Sequence, residues 1–148
     1  MRATCDLKQI GLTLLLIMIA QTSVAIDGIA GLWVTDDGDG LIEFRLQDSQ
    51  PIGYIAGSIS DPERTEPERY DDNNPEPNLR ERPLHGLAVF TNLRASRGNK
   101  WKGRVYDPNT GKTYKCTITL VDASTLKVRG YLGIPILGRT QVWTRLVD

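Results

Sequence analysis

Two arginines, Arg129 and Arg139, stand in neighbouring segments that alternate polar and apolar residues. At a period of two, Arg129 shares a face with Tyr131, and Arg139 shares one with Gln141, Trp143 and Arg145. If residues 130–138 join the segments as a hairpin, these side chains make one patch. Guanidinium groups beside aromatic rings suit a carboxylate or phosphate on an otherwise apolar ligand, through forked hydrogen bonds and stacking. Asp72, Asp107 and Tyr114 complete the set of candidate ligand-binding residues, the two carboxylates being internal partners that a buried guanidinium could use. A structural reading stands beside this one: an arginine stacked on a tryptophan closes one end of a barrel or decorates its outside.

Other chemistries have less support. A hydrolase or isomerase would draw on Asp72 and Asp107 with Lys112 or Tyr114, yet no spacing brings an acid and a base together. His85 is the single histidine, which rules out a histidine-rich zinc site and leaves a Ser-His-Asp triad without a nucleophile-elbow motif. It reads as an ordinary strand-start residue. The acidic run 36–40 lacks the glycine and the bidentate glutamate of a helix-loop-helix calcium site, and Asp71-Asp72-Asn73-Asn74 runs directly into Pro75. Both read as turns or caps. Glycine-rich phosphate loops are absent, so neither a cofactor nor a metal is expected.

The elements that must position these residues are strands. Residues 41–47 put Ile42, Phe44 and Leu46 on one face and Glu43, Arg45 and Gln47 on the other. Residues 113–121 repeat the pattern, with Tyr114, Cys116, Ile118 and Leu120 facing the core. Adding 32–35, 52–59, 86–93, 100–106, 126–131 and 139–146 gives about eight strands at the spacing of sandwiches and barrels. Asp36-Asp37-Gly38-Asp39-Gly40 and Asp107-Pro108-Asn109-Thr110-Gly111 carry hairpin-turn chemistry. The exception is 61–83, with five prolines and almost no apolar residues, which cannot be a core strand. Within it Asn74 could cap a short helical turn that starts at Pro75 and runs toward Leu79. A polar loop of this length is either functional or mobile.

Residues 1–25 carry the parts of a secretory signal in order: Arg2 and Lys8, the apolar run 10–20, then Ser23-Val24-Ala25. The run gives only about 16 Å of helix against a bilayer core of about 30 Å, too short for an anchor. Cleavage is expected after Ala25, leaving one domain over 26–148 in the periplasm or outside the cell. That domain has 16 basic and 17 acidic residues, and its near-neutral charge offers no electrostatic case for nucleic acid or an anionic membrane. Cys5 leaves with the leader. Cys116 is then alone, without a disulfide partner, and reads as a buried apolar residue.

From Asp71 to Arg145 the chain resembles the bacterial family known as domain of unknown function 2147. The likeness rests on Asp72-Asn73-Asn74-Pro75, Leu79-Arg80-Glu81-Arg82-Pro83-Leu84, Gly86-Leu87, Trp101-Lys102-Gly103, Tyr106-Asp107-Pro108, Gly111-Lys112-Thr113-Tyr114, Val128-Arg129-Gly130-Tyr131 and the run from Gly138 to Arg145, with Gly31-Leu32-Trp33 near the start. The resemblance implies an exported protein with a lipocalin-like barrel and brings no established activity. Gly31-Leu32-Trp33 with a late Arg145 is similar also to the calycin arrangement, in which a first-strand tryptophan is covered by an arginine from the last strand. The fold expected is therefore all-β, a small antiparallel up-and-down barrel of about eight strands with one long polar loop. The function expected is binding of a small amphipathic or anionic molecule, without catalysis. An envelope interaction module with a filled barrel, using 61–83 as its contact surface, is the alternative.

Overall fold

The structure, a computed structural model, describes residues 28–147. The expected leader and its expected cleavage point after Ala25 lie outside the described residues. Eight antiparallel strands follow one another: β1 (Gly31–Val34), β2 (Gly40–Gln47), β3 (Gln50–Ser58), β4 (Ala88–Ala95), β5 (Lys100–Asp107), β6 (Lys112–Asp122), β7 (Thr125–Tyr131) and β8 (Arg139–Arg145). Each pairs with the next in sequence, and β8 returns to β1 through Trp33↔Arg145 and Val34↔Thr144, so the sheet closes into an up-and-down barrel. Closure leaves no sheet edge unpaired, which a small β protein otherwise has to blunt by charge or bulges.

The alternation read along β2 and β6 sets what lies inside. Ile42, Phe44, Cys116 and Ile118 are buried, whereas Arg45 and Lys115 are exposed. Leu46 departs from the pattern at 38% exposed, because β2 is by then at its hairpin with β3, where Asp48 and Ser49 take positive φ. Two ends result. At one lie the short turns between β2 and β3, β4 and β5, and β6 and β7, and here Trp33, Phe44, Leu93, Trp101, Ile118 and Leu126 fill the interior, each 1% exposed or less. Phe90 bridges upward from this plug, tilted against Phe44 at 5.4 Å and edge-on to Trp143 at 5.6 Å, the offset geometries that aromatic pairs prefer. Cys116 is fully buried, and burial pushes its thiol up to about 12. It behaves as a small hydrophobe.

The filled end is sealed by Arg145. Its guanidinium lies 4.2 Å from the Trp33 ring centroid, while Nε donates to Ala123 O at 2.6 Å, Nη1 to Ala30 O at 2.7 Å and Nη2 to Gly28 O. The indole of Trp33 donates to Ile29 O at 2.9 Å. Gly31 is required at this seal: its φ is +119°, and a Cβ there would stand 2.9 Å from Arg145 Nη1.

At the opposite end stand the β1–β2 turn, the β5–β6 turn, the β7–β8 connection and the long segment 59–87. The helical turn expected to begin at Pro75 lies two residues later, as a 3₁₀ turn over Pro77–Leu79. Asn74 does not cap it. Its Oδ1 accepts the Glu76 N–H at 2.9 Å, so the asparagine closes its own tight turn first and delays the helical one. A second 3₁₀ turn, Pro135–Leu137, sits in the β7–β8 connection.

A candidate ligand-binding site at the open end of the barrel

Above Phe90 the barrel is not filled. A cavity of about 1450 Å³ opens there between the walls, larger than the ~300–1,000 Å³ of common ligand pockets because it runs out into the mouth. Its walls are apolar, from Ile42, Ile55, Val89, Phe90, Val105 and Val128, with Trp143 at its floor. Higher up the polar groups are Tyr114, Gln141 and Arg139, and at the rim Asp36, Asp37, Asp39 and His85.

The β7–β8 register decides which of the expected site residues meet. Val128 pairs with Gln141 and Gly130 with Arg139, so Arg139, Gln141 and Trp143 share the cavity face with Val128 and Gly130. The hydroxyl-bearing ring of Tyr114 comes alongside, its Cβ 4.0 Å from the position that a side chain on Gly130 would take. The indole N–H of Trp143 donates to Gln141 Oε1 at 2.9 Å, which fixes the amide and leaves its NH₂ as a donor toward the cavity. No carboxylate of the described residues lies within ion-pair distance of Arg139. A forked donor, an amide and a phenol thus converge above an apolar chamber, and together they suit an anionic head on an apolar body.

Arg129 does not belong to this set. It pairs with Thr140, on the outward face, and its guanidinium binds Pro135 O at 2.7 Å, Ile136 O at 3.1 Å and the Thr140 hydroxyl. The expectation of one shared patch fails because the connection 132–138 sets Arg139 opposite Gly130 instead of Arg129, which reverses the face. Tyr131, at the end of β7, is 8% exposed and lies along the cavity lip with the Gly138 backbone packed on its Cβ. Arg145 is likewise separate, at the sealed end.

Neither expected internal carboxylate pairs with Arg139, although Asp107 lines the cavity mouth. Asp107 Oδ1 accepts the Asn109 N–H at 3.0 Å and Oδ2 the Thr110 hydroxyl at 2.9 Å, so this group is spent on its own turn. Asp72 is exposed on the long segment and does not line the chamber. The other acidic run behaves as a turn too. Asp37 Oδ1 accepts from the Thr35 hydroxyl at 2.6 Å and from the Asp39 and Gly40 N–H groups, and these bonds hold its carboxyl below the usual range. Among the described residues no cluster of three or more His, Cys, Asp or Glu side chains could hold a metal.

Spacing arguments missed the residue beside Asp72. Asp71 is fully buried, and its Oδ1 accepts the Tyr106 hydroxyl at 2.6 Å while Oδ2 takes Asn74 Nδ2 at 2.7 Å and Arg82 Nε at 2.9 Å. Burial pushes this carboxyl up, but the bonds from Tyr106, Asn74 and Arg82, with the Arg82 charge, outweigh it and hold it below the ordinary value. Burial, with the Asp71 carboxylate, raises Tyr106. Around this centre, Asp71 N donates to Arg82 O and Leu84 N to Arg69 O, clipping 69–84 into a compact lobe. Asn73 Nδ2 then reaches Pro108 O at 3.2 Å and Asn109 O at 3.1 Å. Gly111 admits that contact, since a Cβ on it would lie 1.9 Å from Asn73 O. The long polar segment is therefore latched to the β5–β6 turn beside the mouth.

Comparison with known proteins agrees with this fold. Curated protein sequences give no match. Among solved structures, protein HP1028 of Helicobacter pylori, described as belonging to the lipocalin family, superposes with a TM-score of 0.72 at 23% identity, covering 81% of this chain and 84% of that one. That likeness concerns the fold. The stretches that meet in the latch, 71–84 and 106–114, lie inside the span matched by a family profile described as an uncharacterized protein conserved in bacteria, which runs from residue 31 to residue 145. With its eight-stranded barrel and this match over most of its length, the chain belongs to the DUF2147 family of bacterial proteins.

Proposed function

We propose that this protein is an exported carrier or sensor of a small amphipathic molecule, which it holds head-up in the open half of the barrel. The observation that carries this reading is the roughly 1450 Å³ chamber whose apolar walls end in Arg139, Gln141 and Tyr114, with no protein carboxylate within ion-pair reach of the arginine among the described residues. An apolar body gains from burial at about 25 cal/mol per Å², and a carboxylate or phosphate head gains a charge-assisted fork from Arg139. The lipocalin-family neighbour supports a ligand-holding barrel by analogy of fold. The leader sequence supports a periplasmic or extracellular site of action.

Native mass spectrometry of the protein purified from its own host tests this. A co-purifying amphiphile, displaced by fatty acids in titration, is the expected result. If no fatty acid or other anionic amphiphile binds, and another envelope protein co-purifies instead, the contact-module reading replaces this one, with the latched lobe 69–84 as its surface.

A further inference from the structure

The near-zero net charge conceals a separation of charge along the chain. Residues 27–87 carry 14 acidic and 5 basic side chains, whereas 88–131 carry 9 basic and 2 acidic. Folding turns this into geometry, because β4 to β7 are consecutive staves of the barrel wall and their outward positions are paired across strands. Arg94 is opposite Lys102, which is opposite Thr117, which is opposite Arg129. Alongside runs Arg104 opposite Lys115, and beyond it Lys100 opposite Thr119, opposite Lys127. These rows contain no acidic side chain, and the three ion pairs among the described residues all fall within 43–82. Such a face repels itself unless something anionic covers it.

Beside it the β7–β8 connection presents an apolar knob. Leu132, Ile134, Ile136 and Leu137 are 57–78% exposed, a concentration that a soluble surface seldom leaves uncovered. Arg129 fastens this knob to the cationic face through Pro135 O and Ile136 O, which also satisfies two backbone carbonyls that an apolar medium would otherwise strand.

We propose that this corner of the barrel docks on an anionic lipid bilayer, the 132–137 knob entering the headgroup and upper acyl region and the lysines and arginines of β5–β7 lying on the lipid phosphates. A polybasic surface and an apolar insertion are the two signals whose sum makes peripheral membrane binding stable. A nucleic acid fits less well, since the rows offer no exposed aromatic ring for a base to stack on. A symmetric contact with a second copy would set cation against cation. Leu132 and Leu137 also form part of the cavity lip, so the docked barrel has its mouth beside the membrane, where an amphiphile could pass between them. The docking itself does not depend on what the cavity holds.

Flotation of the host-processed protein with vesicles of phosphatidylcholine, with and without one third phosphatidylglycerol, is the test. Binding is expected to need phosphatidylglycerol and to fade as salt is raised. It should drop about tenfold in the double substitution Lys102→Glu with Lys115→Glu, and about tenfold in Ile134→Ser with Ile136→Ser, two knob residues that do not line the cavity. All four positions are exposed, so the fold should persist, and an unchanged circular dichroism spectrum with unchanged amphiphile titration confirms that the cavity is intact. Absence of flotation at low salt overturns the docking while leaving the ligand reading untouched. Salt-sensitive flotation that ignores the Ile134 and Ile136 changes also overturns it, in favour of a general polyanion surface. So does a knob variant that turns a dimer into a monomer without altering flotation.

Discussion

Arg129 and Arg139 are alike in sequence setting and opposite in place. Alternation correctly grouped Arg139 with Gln141 and Trp143, because period-two logic is local to a strand. It could not carry that grouping across to β7, since the face relation of two strands depends on their register, and Gly130↔Arg139 sets it one residue away from the assumed match. The two arginines therefore separate in their expected effects. Arg139→Leu should weaken binding of a carboxylate amphiphile by about 1.5–3 kcal/mol, the range for a hydrogen bond to a charged group, and leave the denaturation midpoint nearly unmoved. Arg129→Leu should spare binding and cost about 1 kcal/mol of stability as the bonds to Pro135, Ile136 and Thr140 are lost. Calorimetric titration beside urea denaturation measures both. The opposite assignment of effects would place the ligand outside the barrel. Trp33, fully buried under Arg145, was legible from Gly31-Leu32-Trp33, and Trp33→Ala should cost about 3–5 kcal/mol as a core aromatic truncation does.

At the scale of elements, eight strands were readable because their amphipathic alternation is written residue by residue. The latch was not. Asp71 and Tyr106 are 35 positions apart and meet only once the barrel has closed, and nothing in Asp71-Asp72-Asn73-Asn74 marks the first aspartate as the buried one. The length and polarity of 61–83 suggest a segment either functional or mobile, and turns rich in proline are also the stiff pieces from which a compact lobe can be clipped together. The latch has a pH signature. The folded-state pKa of Asp71 is depressed, so its contribution is present above the unfolded carboxylate value of about 4 and is lost as pH falls through the lower folded value. Tyr106 is raised, so its contribution holds below the unfolded phenol value of about 10 and disappears as pH climbs through the folded one. Asp71→Asn should lower stability at neutral pH by about 1.5–3 kcal/mol and flatten the acid limb of the stability curve. If the acid limb of the variant overlays that of the parent, other carboxylates set it. Gly111→Ala should loosen the same lobe from the other side, seen as faster amide exchange over 69–84, because the new Cβ and the Asn73 carbonyl cannot both keep their places.

For the whole molecule, closure was implied by strand count and family resemblance, but where the barrel is weakest follows only from register. Six of its eight seams join consecutive strands through connections of seven residues or fewer; the seventh, β3 with β4, spans the long segment 59–87 and pairs at two positions, extended by backbone bonds from Ile55 to Leu87 and from Gly86 to Ile55. The eighth, β1 with β8, joins the two ends of the described chain through two paired positions, Trp33↔Arg145 and Val34↔Thr144. Arg145 stands at that seam and binds across it, to Ala30 and Gly28 ahead of β1 and to Ala123 in the β6–β7 turn, while its guanidinium covers Trp33. One side chain thus holds together what short pairing holds poorly. Lysine cannot replace it, since an ammonium on a flexible stem lacks the planar fork that reaches several carbonyls while lying flat on an indole. Arg145→Lys should therefore destabilise almost as much as Arg145→Leu, by about 3–4.5 kcal/mol if each of two or three charged hydrogen bonds contributes at the lower end of its range. Hydrogen exchange should localise the damage to β1 and β8 while β4 to β6 stay protected. An opened seam exposes two unpaired strand edges, so both variants should also aggregate at concentrations where the parent stays monodisperse in light scattering. A lysine variant that keeps the parent's exchange pattern and solubility would mean that the strand pairs alone close the barrel and that Arg145 only decorates the seam.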